Sequence, residues 1–140
     1  MHRKNNYYQN GSKHLLHLSA GAIIKREDGK ILVHYLKRIG GKYFLPKKTM
    51  LPYGAVEQAV HATSLETGWK IQINNYLGSI QSEFPNNDNE IVSKTTLYFL
   101  CSPITEVGRD PDDRDADSSL VWMKKDELIK IFKKQRKTDI

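Results

Sequence analysis

The sequence has little of what marks a secreted or membrane protein. It contains a single cysteine, Cys101, so no disulfide can form within the chain. No apolar run approaches the ~18 residues that indicate a membrane span. The N-terminal stretch MHRKNNYYQNGSKH also has no apolar core of the kind found in a signal peptide. We therefore expect a cytoplasmic protein with no membrane association.

The length and composition fit one globular domain. The chain has 140 residues, of which 39% are hydrophobic, and this leaves no room for a second domain. We expect residues 15–140 to form the domain and residues 1–14 to be a flexible N-terminal segment. Cys101 ends an apolar run and is expected to be a small core residue.

The order of patterns along the chain predicts an α+β protein. The Asp-Gly pair at 28–29 lies between two β-rich runs, which is a strong hairpin signal. Apolar residues recur at helical spacing between residues 54 and 68, and a glycine ends that segment. Stretches 71–82 and 92–101 read as paired strands joined by the polar loop 85–89.

The most informative segment is 47–69, KKTMLPYGAVEQAVHATSLETGW. Its end, Glu66-Thr67-Gly68-Trp69, matches the end of the pattern G-x5-E-x7-R-E-U-x-E-E-x-G-U, where U is a bulky aliphatic residue. The segment thus resembles the box of the Nudix hydrolase superfamily, a loop and helix that bind magnesium and split diphosphates.

The resemblance is incomplete at the positions that carry the chemistry. Lys47 stands at the first glycine, Tyr53 at the first glutamate, His61 at the arginine, and Ala62 and Leu65 at two helix carboxylates. Glu66 is the acidic residue that remains, so it is the candidate catalytic residue and metal ligand. The box is degenerate.

Magnesium is a hard cation that takes oxygen ligands, so one glutamate is a weak site. Carboxylates four residues apart lie on one helix face, and Ala62 removes one member of such a pair with Glu66. Leu65 removes a candidate general base. We predict weak magnesium binding at the box.

The resemblance continues outside the box, from Ser19 to Leu128. It implies an α/β/α sandwich with a mixed β-sheet between helices, a last strand at 119–123 and a closing helix that starts near Asp126. Many Nudix relatives dimerise, so the resemblance also makes a homodimer an open expectation.

Five aspartates crowd the loop before the last strand: Asp110, Asp112, Asp113, Asp115 and Asp117. A solvated turn explains such a loop, because aspartate favours turns. The resemblance implies a second interpretation, in which this loop supplies a carboxylate to the active site. Asp115 or Asp117 is then the candidate that joins Glu66 as a metal ligand.

Other candidates for substrate binding lie in or beside the box. Lys47 and Lys48 would neutralise phosphate in place of the missing metal, or would simply be solvated. Glu57 and His61 are four residues apart on the helix and would meet on one face, and Tyr53 lies in the preceding loop.

The positive charge is concentrated at the C-terminus. Residues 124–137 hold seven Lys or Arg against two acidic residues, which leaves +5 of the net +6. Lys130, Lys133, Lys134 and Lys137 share one face of the predicted helix. This face is either a solvated surface or a polyanion-binding surface, with RNA as the candidate partner.

Three functions follow from these patterns. The first is a pseudoenzyme with the Nudix fold that lacks efficient hydrolysis and binds a nucleotide, RNA or a protein partner. The alternative is an atypical Nudix hydrolase that cleaves a nucleoside diphosphate linked to another moiety, using Glu66, a loop aspartate and magnesium. The third is a structural interaction module.

Overall fold

The structure is a computed structural model that describes residues 7–9, 14–51 and 53–138, of which residues 7–9, 14 and 136–138 are described by their backbone alone. The strands are β1 (Tyr7–Gln9), β2 (His14–Ile24), β3 (Ile31–Leu36), β4 (Lys42–Phe44), β5 (Lys47–Thr49), β6 (Trp69–Pro85), β7 (Ile91–Glu106) and β8 (Ser119–Met123). The helices are α1 (Val56–Thr67) and α2 (Lys125–Thr138), and a short 3₁₀ turn covers Lys37–Ile39. The predicted α+β class is confirmed.

The strands form two sheets. The larger is five-stranded and mixed, in the order β1-β2-β7-β6 with β5 paired to β2, and β2 runs parallel to β7. The smaller is three-stranded and antiparallel, in the order β4-β3-β8. β1 belongs to the segment predicted to be flexible, and the rest of residues 1–13 lies outside the described residues.

The protein has two hydrophobic cores, one on each side of the sheets, and alternate side chains of a strand contribute to one core or the other. In β3, Leu32 packs with α1, whereas Ile31 and Val33 pack with α2. Successive side chains of a strand point to opposite faces, so the sheets lie between the two helices. Neighbouring Ala22 and Ile23 of β2 divide between the same two cores. This is the predicted α/β/α sandwich.

The turn at 28–29 is present, but it does not produce the expected extended hairpin. Gly29 has a positive φ of 86° and donates its N–H to the Arg26 carbonyl at 2.9 Å. Beyond the turn, a single bridge between Lys25 and Ile31 joins the two chain segments. β2 pairs along its length with β7 in the larger sheet, whereas β3 pairs with β8 in the smaller sheet. The two strands on either side of the turn therefore belong to different sheets.

The predicted strand pair 71–82 and 92–101 is antiparallel and longer than expected, because β6 and β7 together span 69–85 and 91–106. Asn86 closes the connecting loop through its side-chain oxygen, which accepts the N–H groups of Asp88 and Glu90 at 2.9 Å each. This is the turn chemistry expected of asparagine.

α1 ends where the sequence places its glycine. Gly68 has a left-handed φ of 75° and donates its N–H to Ser64 O at 2.8 Å. Two C-terminal carbonyls then accept from the chain after β7: Gly68 O from Val107 N and Leu65 O from Asp110 N, each at 2.8 Å. These bonds fasten the loop between β7 and β8 to the end of α1.

α2 docks through Leu128, Ile131 and Phe132. The Gln135 amide makes two further bonds to the edge strand β4: it accepts from Tyr43 N at 2.7 Å and donates to Tyr43 O at 2.8 Å. The orientation of the helix surface is therefore fixed. Neither helix of the described residues has the length and apolar character to cross a bilayer.

Cys101 lies in the core beside α1 and is buried, as predicted. Burial raises the pKa of its thiol to about 11. The thiolate is the reactive form of cysteine, so this side chain has a structural role.

Candidate functional site

Glu66 is a buried carboxylate in the last turn of α1. It follows Ala59, Val60 and Thr63 along the helix face that packs on the larger sheet, and only 1% of the residue is exposed. Its Oε1 atom has no hydrogen-bond partner among the described residues. Buried carboxylates are costly unless they are paired or bind a cation, so this atom needs a chemical explanation.

The loop between β7 and β8 brings two more carboxylates to Glu66. Ligand oxygens of Glu66, Asp113 and Asp115 all lie within 4.8 Å of one another, and we call these three residues the acidic site. Asp113 Oδ1 accepts the N–H of Asp115 at 2.9 Å, which fixes the relation between the two loop residues.

Arg109 holds this loop in place. Its guanidinium donates to Asp115 O at 2.6 Å, and to the carbonyl and hydroxyl oxygens of Ser118 at 2.7 Å each. The planar group has its donors in a fixed geometry, so one side chain sets several backbone positions at once. The acidic site is thus positioned by α1 on one side and by Arg109 on the other.

Two cations from other elements neutralise the acidic site. The ammonium group of Lys48, in β5, donates a hydrogen bond to Asp113 Oδ2. Arg38 contacts Asp115 Oδ1 at 3.2 Å and Asp117 Oδ2 at 2.9 Å. Burial acts to raise the pKa of Asp113, but the hydrogen bonds from Lys48 and Asp115 N and the nearby positive charges outweigh it, so this pKa lies below its ordinary value.

His34 of β3 lies beside Glu66. It is fully buried and its ring stacks on Phe44 with a centroid separation of 4.7 Å. Nδ1 makes a 2.6 Å hydrogen bond with Ser118 Oγ. Nε2 lies 3.8 Å from Glu66 Oε1, and neither atom has a hydrogen-bond partner among the described residues.

The structure brings some of the sequence-predicted residues together and separates others. Glu66, Asp115 and Lys48 meet at the acidic site. Asp117 is instead half-exposed and bound by Arg38. Lys47 is half-buried in β5, where it pairs with Gly21.

The remaining box candidates lie on the surface. Tyr53 is fully exposed and has a positive φ of 63°, which is rare for a bulky residue. Glu57 and His61 are exposed on α1, and no hydrogen bond joins them in the described part of the chain. Lys130, Lys133 and Lys134 are exposed on α2, while the Lys137 side chain lies outside the described residues.

Sequence reasoning did not single out His34, Arg109, Ser118 or Asp113. A signal existed for His34, because it interrupts the apolar run of β3, ILVHYL, whose first four residues are all buried. A polar residue inside a buried strand requires a partner. Asp113 was one of five loop aspartates, and nothing in the spacing distinguished it.

Solved structures share this arrangement of elements. A NUDIX hydrolase from Nitrosomonas europaea is similar with a TM-score of 0.59 and 21% identity, covering 81% of this chain and 76% of that one. A MutT protein from Methanosarcina mazei Go1 is similar with a TM-score of 0.60 and 18% identity, covering 82% and 81%. No protein-family model and no curated protein matches the sequence.

These similarities establish the fold. The chain has the Nudix fold, as the resemblance of residues 47–69 implied. At this identity, the shared architecture does not carry the chemistry of the relatives with it, because one fold hosts many functions. The function of this chain therefore depends on the side chains of its acidic site.

Proposed function

We propose that this Nudix-fold protein binds a diphosphate-containing ligand such as a nucleotide at the acidic site, without efficient hydrolysis. The carrying observation is the Lys48 ammonium bound to Asp113 beside a single buried helix carboxylate. One of the three carboxylates of the acidic site is thus already paired with a protein cation.

The distribution of charge supports binding over turnover. α1 has two carboxylates, but Glu57 is exposed near its start and only Glu66 points into the acidic site. Ala62, one turn before Glu66, offers no second ligand from the helix. Lys48 and Arg38 would contribute positive charge to the oxygens of a diphosphate.

The residues present fit a divalent cation in part. Magnesium prefers carboxylate oxygens, and Glu66, Asp113 and Asp115 are the residues that would hold it. The unbonded Oε1 of Glu66 is consistent with a cation ligand. A bound ion would neutralise charge on the ligand's phosphates.

A second candidate function is atypical hydrolysis of a nucleoside diphosphate linked to another moiety. The observation in its favour is that the loop supplies two carboxylates, Asp113 and Asp115, where the helix has lost its own. In this alternative Glu66 and the loop aspartates replace the helix carboxylates of the family pattern.

Two measurements on the same samples separate these functions: calorimetry reports binding, and chromatography reports hydrolysis products. The ligands are ADP, ADP-ribose and diadenosine tetraphosphate, each with and without Mg²⁺. We expect binding without product. Lys48→Met should weaken binding by about tenfold, equivalent to about 1.4 kcal/mol. Lys70→Met, at an exposed position outside the site, is the control.

Turnover on the order of 1–10³ s⁻¹, the range of ordinary enzymes, would establish the second candidate instead. Absence of binding to every ligand of this panel would contradict the proposal.

A further inference from the structure

We infer that Arg38 binds the phosphates of the ligand and that two aspartates of the loop between β7 and β8 compete for it, so that this loop weakens anion binding. The inference rests on the proposed function, because it concerns the same diphosphate ligand. Arg38 donates from Nη2 to Asp115 Oδ1 at 3.2 Å and from Nε to Asp117 Oδ2 at 2.9 Å. Carboxylate and phosphate oxygens suit the same guanidinium donors, so these aspartates engage donors that a ligand would use.

Two roles are open to these aspartates: to orient Arg38 for the ligand, or to compete with the ligand for it. The charge around the site favours competition. Residues 109–117 contain five aspartates and two arginines, and Glu66, Lys48 and Arg38 add one acidic and two basic side chains. Six acidic side chains against four basic ones leave a formal charge of −2. A diphosphate is itself an anion, so it is repelled unless the loop releases a cation to it.

The backbone of the loop is held in place, so the exchange has to occur at the side chains of the cations. Arg109 donates to the main-chain oxygens of Asp115 and Ser118 at 2.6 Å and 2.7 Å. Arg38 lies on the short 3₁₀ turn that follows β3, and 44% of its side chain is exposed. Lys48 lies in β5 and its side chain is only 25% exposed. Arg38 is therefore the cation with the greater freedom to leave the loop for a ligand.

Asp117 allows competition to be tested without a change in the acidic site. Its side chain is 53% exposed, and its carboxylate binds Arg38 but is not one of the three that form the acidic site. Asp112 is exposed in the same loop, and in the described part of the chain it contacts neither Arg38 nor Lys48. Removal of either carboxylate changes the charge of the loop equally, but only the change at Asp117 releases a donor of Arg38.

The test measures the binding of inorganic pyrophosphate and of ADP to the full chain by calorimetry, with chelator present. The salt concentration is about 0.15 M, at which charges more than about 8 Å apart are largely screened. Asp117→Asn should tighten binding by about threefold to fivefold, because it removes a half-exposed ion pair that competes with the ligand. Asp112→Asn, the matched control, should change the Kd by less than about 1.5-fold.

Two results of this comparison would overturn the inference. An equal gain in Asp117→Asn and Asp112→Asn would show that only the net charge of the loop matters. Weaker binding in Asp117→Asn would show that Asp117 orients Arg38 for the ligand instead of competing with it.

A double-mutant cycle tests whether Asp117 acts through Arg38. Arg38→Met should weaken pyrophosphate binding by about tenfold, because it removes charge-assisted hydrogen bonds to the phosphates. In the Arg38→Met background, Asp117→Asn should have no more effect than Asp112→Asn. Unchanged binding in a folded Arg38→Met protein, or a full gain from Asp117→Asn without Arg38, would refute the role assigned to Arg38.

The inference and the proposed function fail in different ways. Absence of pyrophosphate and ADP binding in the wild type and in every variant would reject both. Binding by the wild type with the same Kd in Asp117→Asn and Asp112→Asn would retain the proposed function and reject the competition.

Discussion

Glu66 has an unusual position for a charged residue, because it is buried and one of its oxygens is unbonded among the described residues. Natural proteins retain such groups where function requires them, at a cost in stability. The same residue is the glutamate at which the sequence of α1 resembles the Nudix pattern. The structure thus gives a physical reason to place function at this residue.

The first prediction concerns the cost of that charge. In metal-free protein, Glu66→Gln should raise the free energy of unfolding by roughly 1 kcal/mol, because an amide keeps the shape without a buried charge. Chemical denaturation with excess chelator measures the change. Destabilisation by more than about 2 kcal/mol would show instead that Glu66 is stabilised by an ion pair with His34.

The second prediction concerns Asp113, whose pKa lies below its ordinary value. A depressed pKa means that the carboxylate contributes stability above the unfolded pKa, and that this contribution is lost as pH falls through the folded pKa. Melting temperature should therefore drop below about pH 4, with a shallower drop in Asp113→Asn. Asp112→Asn, at an exposed neighbouring position, is the control. Identical acid profiles for wild type and Asp113→Asn would contradict the assigned Lys48 contact.

At the scale of secondary-structure elements, α1 is the helix that the resemblance of residues 47–69 to the Nudix box predicted. Ala62 is half-buried and Leu65 is 47% exposed, so neither position is sealed in the core. The exposure of Leu65 means that its side chain is not part of the core. Leu65 can therefore be changed to glutamate without burying a charge, and a glutamate at Ala62 would be only partly buried.

The third prediction follows from this exposure. Ala62→Glu and the double variant Ala62→Glu/Leu65→Glu should stay folded, since glutamate is a good helix former. Ala62→Glu rebuilds the four-apart carboxylate pair with Glu66, so Mg²⁺ affinity should rise by about tenfold or more. Melting curves and calorimetry measure the two effects. A stable Ala62→Glu protein with unchanged Mg²⁺ affinity would show that this face is not directed at a cation site.

The basic face of α2 yields the fourth prediction. Lys130, Lys133 and Lys134 are exposed on a helix that Gln135 fixes against β4, so their spacing is preorganised. If this face binds single-stranded RNA, changing these lysines and Lys137 to glutamine should flatten the plot of log affinity against log salt by about 3 units. Fluorescence anisotropy with oligo(U) measures the slope.

A quadruple Gln variant of exposed Lys25, Lys37, Lys70 and Lys124 is the control for total charge. An equal change in slope for both variants, or the absence of binding at low salt, would leave the α2 lysines as a solvated face.

Local patterns predicted the elements well, and they did so for physical reasons. Helical spacing and Gly68 defined α1, and polar residues 85–89 defined the turn between β6 and β7. The sequence did not predict that β2 and β3 belong to different sheets. An Asp-Gly turn specifies that the chain reverses, but it does not specify how far the two strands stay paired. That outcome depends on competition with β7 and β8, which lie far along the sequence.

At the scale of the whole molecule, the site is built from long-range contacts. His34 meets Ser118 across 84 residues of sequence, and Lys48 meets Asp113 across 65. No local periodicity encodes such pairs, which is why α1 could be predicted from the sequence while the residues around Glu66 could not. The Nudix fold brings these segments together, and the side chains it presents here differ from the family pattern.

The central claim is that the acidic site binds a diphosphate ligand and does not efficiently cleave it. The most direct measurement is a combined titration with ADP-ribose and Mg²⁺ or Mn²⁺, in which calorimetry reports binding and chromatography of the same sample reports AMP. We predict saturable binding that is lost in Glu66→Gln and no accumulation of AMP beyond a metal-only control. AMP release by wild type that disappears in Glu66→Gln would show a working hydrolase, and heat signals identical in wild type and Glu66→Gln would show that the ligand does not bind at the acidic site.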